Sequence, residues 1–295
     1  MKNIIVVTGG AGFVGSNLIS FLLKKTRYQI LSLDNYTSGS KKNHIKSNRI
    51  SYLNCHTKNI SKKLNNKKKK INAIFHFGEF ARIYQSFLMM NQCIDSNTIG
   101  SNEVFNFCMK NKIKLIYSAT SASLGNKGND KNLSPYSFTK AKNLELLNNL
   151  KKWFNFKFEI IYFYNVYGPK QICKGKMATV IGIFEDHYKK KLPLPIVKPG
   201  TQTRRFTHIQ DTVGTCYKAW KLNRCRHYSI FSKKEYSILK VAKMFKTKIK
   251  YLSSRPGERY ASALTNMNLS NKVYRENGRI DLSTYIKNFI RNNTQ

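Results

Sequence analysis

The sequence lacks any run of about eighteen apolar residues, which excludes a helix spanning a membrane. It has no CxxC pair and no His/Cys ligand spacing, so a zinc site is not expected. Cys55, Cys93, Cys108, Cys173, Cys216 and Cys225 are scattered, as reduced thiols of a cytoplasmic protein would be. The first strand pattern begins near residue 3, which leaves no room for a signal peptide. No internal repeat is apparent. Acidic residues are scarce: 14 against 53 Lys and Arg, a net charge of +39. Such a balance suits a polyanionic partner. However, the lysines lie along the whole chain, often beside asparagines, and only Lys67 to Lys70 form a block. No aromatic-basic platform or groove-reading motif accompanies them, so the charge argues for a Lys- and Asn-rich composition over nucleic-acid binding. The 41% apolar and 13% aromatic content over 295 residues specifies a folded core of one large domain or two modest ones.

What is present starts at the N-terminus. Ile4 to Val7 is an unbroken, largely β-branched apolar run, the mark of a strand buried on both faces. Gly9, Gly12 and Gly15 then recur every three residues before a helical pattern through Leu18, Phe21 and Leu22. Strand, glycine turn and helix together form the context a dinucleotide fingerprint needs. The turn lets backbone approach a phosphate, and the helix N-terminus offers it free N–H groups. A second strand, Gln29 to Leu33, ends in Asp34, 19 residues after Gly15, where a ribose-binding carboxylate belongs. Asp34 would repel a 2′-phosphate, which favours NAD over NADP. Lys41 and Lys42 lie nearby and would soften that preference.

Further strands are expected at Ile50 to Asn54, Ile71 to Phe77, Lys114 to Ala119 and Glu159 to Phe163. Helices are expected over about 91–111 and from Pro135, a residue suited to a first helical position. This alternation predicts an α/β fold with a doubly wound parallel sheet. Beyond residue 166 loops lengthen and Pro193, Pro195 and Pro199 appear. The expected division is a dinucleotide-binding domain, 1–165 with 206–231, and a smaller substrate-binding lobe, 166–205 with 232–295.

Tyr136 and Lys140 stand four apart, on one helical face. An ammonium beside a phenol favours the phenolate, so the tyrosine can take and return a substrate proton. Thr120, at a neighbouring strand end, offers a hydroxyl to align the same oxygen. A YxxxK pair alone reads as a solvated helix face. The glycine turn, Asp34 and Thr120 in the expected order turn it into a catalytic set.

With these residues the sequence resembles the extended short-chain dehydrogenase/reductase family, in particular its nucleotide-sugar epimerases and dehydratases. The resemblance covers nearly the whole chain. It rests on TGGAGFVG at 8–15, DN at 34–35, HF at 76–77 with Ser86 ten residues on, and NTIG at 97–100. It continues through PYSFTK at 135–140, NVYGP at 165–169, RRFTHIQD at 204–211 and RPGE at 255–258. It implies a Rossmann-type fold, bound NAD, a nucleoside-diphosphate sugar substrate and a homodimer built on the helices near 91–111 and 135–153. It implies Thr120, Tyr136 and Lys140 as the catalytic set. The cofactor set it implies is Gly9, Gly12, Phe13, Val14, Gly15, Asp34, Asn35, His56, Phe77, Gly78, Ser118 and Tyr164 besides Tyr136 and Lys140. For the substrate it implies Thr120, Ser121, Asn165 and the diphosphate-clamping Arg204 and Arg255, with Arg82 and Glu258. Asn97 resembles an asparagine with a structural role.

The family's dehydratases carry an Asp-Glu pair after the catalytic threonine, and its decarboxylases keep the Glu. This chain has Ser121 and Ala122. That points to C4 epimerisation of a UDP-hexose through a transient 4-keto sugar. A dehydratase would need an acid-base pair from elsewhere, such as Glu79 or His187, and a 4-keto reductase is the other enzymatic alternative. A non-catalytic NAD- or polyanion-binding protein is the alternative of another class. Five departures stand out. No aspartate follows Asn54, so His56 or Thr57 must meet adenine or the contact is lost. Ala81 replaces a phosphate-binding lysine, for which Arg82 would compensate. Tyr162 and Arg205 replace a usual arginine and aspartate. Glu79 has no evident role.

Overall fold

The computed structural model describes residues 3–124, 130–257 and 273–293. The chain runs β1 (Ile4–Thr8), α1 (Phe13–Lys25), β2 (Gln29–Asp34), β3 (Ile50–Asn54), α2 (Ile60–Leu64), β4 (Ile71–His76), α3 (Ile83–Leu88), α4 (Met90–Ile94), α5 (Ser101–Lys110) and β5 (Lys114–Thr120). It continues through α6 (Pro135–Phe154), β6 (Phe158–Phe163), β7 (Val166–Tyr167), α7 (Val180–Lys189), β8 (Leu194–Val197), β9 (Thr203–Arg205), β10 (Thr207–His208) and α8 (Ile209–Leu222). It closes with β11 (His227–Phe231), β12 (Glu235–Ser237), α9 (Ile238–Met244), β13 (Ile249–Leu252), β14 (Val273–Asn277) and α10 (Leu282–Arg291).

Eight strands form one parallel sheet in the order β14-β11-β6-β5-β4-β1-β2-β3. Burial on both faces explains the apolar runs. Ile5, Val7, Phe75 and Ile161 pack beneath α1 and α8, whereas Val6, Ile74, Leu115 and Ile160 pack beneath α2, α5 and α6. The order in which the chain adds strands reverses between β1 and β4, all of them parallel, so their carboxyl ends open the crevice where ligands of such sheets bind. A third core gathers Phe184, Ile196, Phe206, Val241, Phe245 and Ile286 from the second half of the chain. Two-stranded ribbons β7–β10, β9–β12 and β8–β13 surround it.

Two expectations are corrected. The single helix over 91–111 is α4 and α5 joined by a wider π-helical turn, Asp95–Gly100. The turn carries Asn97, whose amide accepts from Phe80 N at 2.6 Å and donates to Phe80 O at 3.0 Å. The edge strand β14 comes from the segment assigned to the second lobe, so the sheet draws on residues 273–277 as well as 227–231. The sequence there, VYREN, has no apolar run to announce a strand. No helix among the described residues is long and apolar enough to cross a membrane. The six cysteines are free thiols.

Candidate active site

β1 delivers the chain into the glycine turn at the point where β4 ends beside it. Gly9 has φ +68°, and a Cβ there would lie 2.8 Å from the Phe77 backbone. A Cβ at Gly15 would lie 2.1 Å from Gly9 O, so the first turn of α1 can seat on the loop only as glycine. Gly12 caps α1 without a side-chain bond. The first-turn backbone of Phe13, Val14 and Gly15 lines the cleft. An uncapped helix N-terminus against glycine backbone suits a pyrophosphate.

Asp34 closes the adenosine end. Its carboxylate accepts from Ala11 N at 2.9 Å and Tyr36 N at 2.8 Å. Burial pushes its carboxyl above the ordinary aspartate range, against the pull of these backbone donors. Asn35 and His56 also line this end, with Cys55, Thr57 and Ser96. His56 is spent on protein partners. Its Nδ1 accepts from Lys58 N at 3.2 Å, which puts the hydrogen on Nε2, 3.1 Å from Asp95 Oδ2. The ring therefore has no polar atom left over for adenine. Thr57 Oγ1 is buried without a hydrogen-bond partner.

At the other end, Ser134 caps α6 by accepting from Ser137 N at 3.1 Å, and Pro135 takes the first helical position. Ser86 fixes the same turn, accepting from Tyr136 N at 3.2 Å and donating to Ile83 O at 2.6 Å. Tyr136, Lys140, Ser118, Phe77 and Gly78 all line the cleft. Lys140 is 4% exposed; its ammonium donates to Ser118 O and pairs with the Glu79 carboxylate, 4.7 Å above the Tyr117 ring. Glu79 Oε1 accepts from Ser101 Oγ at 2.8 Å, Tyr117 OH at 3.0 Å and Asn143 Nδ2 at 3.1 Å.

That network extends to the glycine turn. Thr8 Oγ1 accepts from Phe77 N and Gly78 N, so its own hydrogen goes to His76 Nδ1, 2.7 Å away. His76 then carries its hydrogen on Nε2 and donates to Ser101 Oγ at 2.9 Å, leaving the serine hydrogen for Glu79. Complete burial drops the His76 imidazole to about 4, so the ring is neutral at physiological pH.

The substrate-side residues are placed differently. Thr120 and Ser121 are buried at the end of β5, where Thr120 Oγ1 accepts from Ala122 N at 3.1 Å. Asn165 sits at φ +25°, a conformation asparagine tolerates better than most residues, and donates to Arg205 O at 2.9 Å. Arg204 is buried on β9 and donates to Thr203 O at 2.7 Å. Arg255 stacks over the Tyr84 ring at 5.0 Å. Arg82 lines the cleft, yet its guanidinium is engaged with Met177 O at 2.6 and 2.9 Å and with Ala81 O at 2.7 Å. That clasp draws Met177 and Ile172 into the cleft wall.

Other expectations change. Tyr164 lies in the core behind the sheet, its hydroxyl 2.9 Å from Ser229 Oγ, because alternation turns it to the face opposite Phe163. Phe163 is the one that lines the cleft. Glu258 lies outside the described residues. Of the two acid-base candidates for dehydration, Glu79 is among the residues lining the cleft and His187 is not. Glu79 is committed to Lys140, and His187 is at the end of α7 with Nδ1 2.8 Å from Pro193 O. Ile172 and Met177 gave no local sequence pattern that would have found them.

Residues 5–231 match the NAD dependent epimerase/dehydratase family. The chain belongs to that family. A relative from Brachyspira hyodysenteriae named ADP-L-glycero-D-manno-heptose-6-epimerase is 31% identical over 230 residues, 71% of this chain and 69% of its own. A Methanocaldococcus jannaschii protein named putative UDP-glucose 4-epimerase is 29% identical over 217 residues, 70% of each chain. The fold is that of a Bacillus cereus UDP-glucuronic acid 4-epimerase solved with UDP-glucuronic acid and NAD. That structure has a TM-score of 0.85 and 24% identity, over 98% of this chain and 99% of that one. NAD is accordingly the cofactor of this family member, and the uncapped α1 terminus, the glycine contacts and Asp34 fit it.

Proposed function

We propose that the protein epimerises a nucleoside-diphosphate sugar, most simply a UDP-hexose at carbon four through a transient 4-keto sugar. The observation that carries this is the pairing of Tyr136 and Lys140 in the NAD cleft with Ser121 and Ala122, not an acid pair, after Thr120. The chemistry NAD supplies when bound is reversible hydride acceptance. Tyr136 takes the proton of the 4-hydroxyl and returns it to the other epimer, a general-base role. Lys140 orients the cofactor ribose, Thr120 aligns the substrate oxygen, and Asn165, Arg204 and Arg255 hold the diphosphate. A guanidinium fork suits that ligand. The commitment of Glu79 to Lys140 supports epimerisation over dehydration. Residues 166–205 with much of 232–293 serve as the sugar-nucleotide lobe in this reading.

A homodimer fits the exposed apolar surface of Leu88, Met90, Ile94 and Ile99 with Phe138 of α6, which a second copy would cover. Light scattering after gel filtration checks it.

Purified protein incubated without added reductant with UDP-, dTDP-, GDP- and CDP-hexoses and an ADP-heptose should yield an epimer of one of them. Tyr136→Phe should lower turnover about 10²–10⁴-fold while NAD remains bound. Loss of water from a substrate, or stoichiometric consumption of NADH, would replace this reading with a dehydratase or a reductase.

A further inference from the structure

We propose that Glu79 is a positioning residue that sets the acidity of Tyr136 by pairing with the Lys140 ammonium and offsetting its charge. This rests on the reading of Tyr136 as the base. The geometry carries it. An ammonium has three hydrogens. One is held by Glu79 and one by Ser118 O, over the face of Tyr117, so a single N–H remains for the cofactor ribose. The carboxylate is itself fixed from three other elements: Ser101 at the start of α5, Tyr117 on β5 and Asn143 one turn after Lys140 on α6. Its side chain is 2% exposed, so water does not screen the pair.

A lysine alone beside Tyr136 favours the phenolate strongly; a lysine already paired with a carboxylate favours it less. Glu79 therefore moderates the base, which must release its proton as readily as it takes it in a reaction that runs both ways.

The other titratable groups around the pair do not compete in this role. From β4, His76 is neutral above about pH 4. From α4, burial pushes the Cys93 thiol up to about 11. From β5, the Tyr117 phenol lies well above its ordinary value, through burial and the adjacent Glu79. Arg82, at the head of α3, is the remaining charge near Tyr136, and its guanidinium is cationic throughout. Between pH 5 and 10 none of these groups changes its charge, so they form a constant background against which the Glu79–Lys140 pair acts on Tyr136.

The test is the ultraviolet phenolate difference spectrum of NAD-loaded protein against its Tyr136→Phe counterpart, titrated in the Glu79, Glu79→Gln and Glu79→Asp backgrounds. Glu79→Gln keeps the size of the side chain and removes its charge. It should move the Tyr136 ionisation to lower pH by at least about one unit. Glu79→Asp keeps the charge and should leave the midpoint within about half a unit of the parent. An unmoved or raised midpoint in the Gln form, or a full unit's movement in the Asp form, overturns the assignment. The Asp form decides alone should the Gln form fail to fold. None of these readings needs turnover, so failure of the epimerase reading leaves a separate signature in the sugar assays.

Discussion

The residues that line the NAD cleft and the residues proposed to hold the sugar nucleotide are built into the fold by different means. On the first, the polar groups are tied to the central strands and the helices packed on them. Backbone donors fix Asp34, a strand carbonyl and a carboxylate fix Lys140, and a directed chain of hydrogen bonds runs from Thr8 to Glu79. On the second, Asn165 and Arg204 come from a turn and a three-residue ribbon strand, and Arg255 from a loop over Tyr84. Asn165 and Arg204 each donate to a backbone carbonyl, and Arg255 lies over a ring face. A rigid wall suits a cofactor that stays through each turnover, and a looser one suits a substrate that leaves.

The sharpest way to break this contrast is at the rigid wall. Gly15→Ala sets a methyl against Gly9 O. It should cost about 3 kcal/mol, lower Tm by roughly 6–12 °C and give protein purified without NAD. Next is His76. Its value of about 4 lies below the 6.5 of an exposed ring, so the unfolded chain binds the proton first. The stability it contributes is therefore present above about pH 6.5 and lost as pH falls toward 4, up to about 3 kcal/mol. Urea unfolding at about pH 7 and pH 4.5 should show the gap between parent and His76→Gln narrowing on acidification. Arg204→Ala probes the looser wall: KM for the sugar nucleotide should rise about 10- to 100-fold with NAD content unchanged. Equal loss of both would mean the walls are not separable. Smallest is Ser86→Ala, which leaves Tyr136 N without its acceptor. It should cost about 1 kcal/mol, or 2–4 °C in Tm.

The backbone frame of the NAD cleft was the legible part. Glycine spacing, the acid ending β2 and the YxxxK pair are local patterns, and each reflects a backbone or helical geometry that a short stretch dictates by itself. What could not be read is what depends on distant partners. His56 was free to meet adenine until Asp95, on a π-helical turn, took its Nε2. Arg82 was a phosphate ligand until the Met177 carbonyl, 95 residues on, engaged it. Glu79 stood in the sequence as an acid without a task, and its four partners come from three elements that nothing local brings together. Tyr164 was misplaced by one residue of alternation, which exchanges the two faces of a sheet. The edge strand β14 escaped because pairing at a sheet border asks little of side chains.

That border strand has a consequence for how the protein is made. β11 is flanked by β6 on one side and by β14 on the other, and β14 is not synthesised until residue 277. While the chain is still on the ribosome, the whole remainder of the sheet can assemble with β11 left as a bare margin of unpaired peptide groups. The nascent protein therefore carries an adhesive edge until residues 273–277 emerge, and a chain cut short at about residue 270 would keep it.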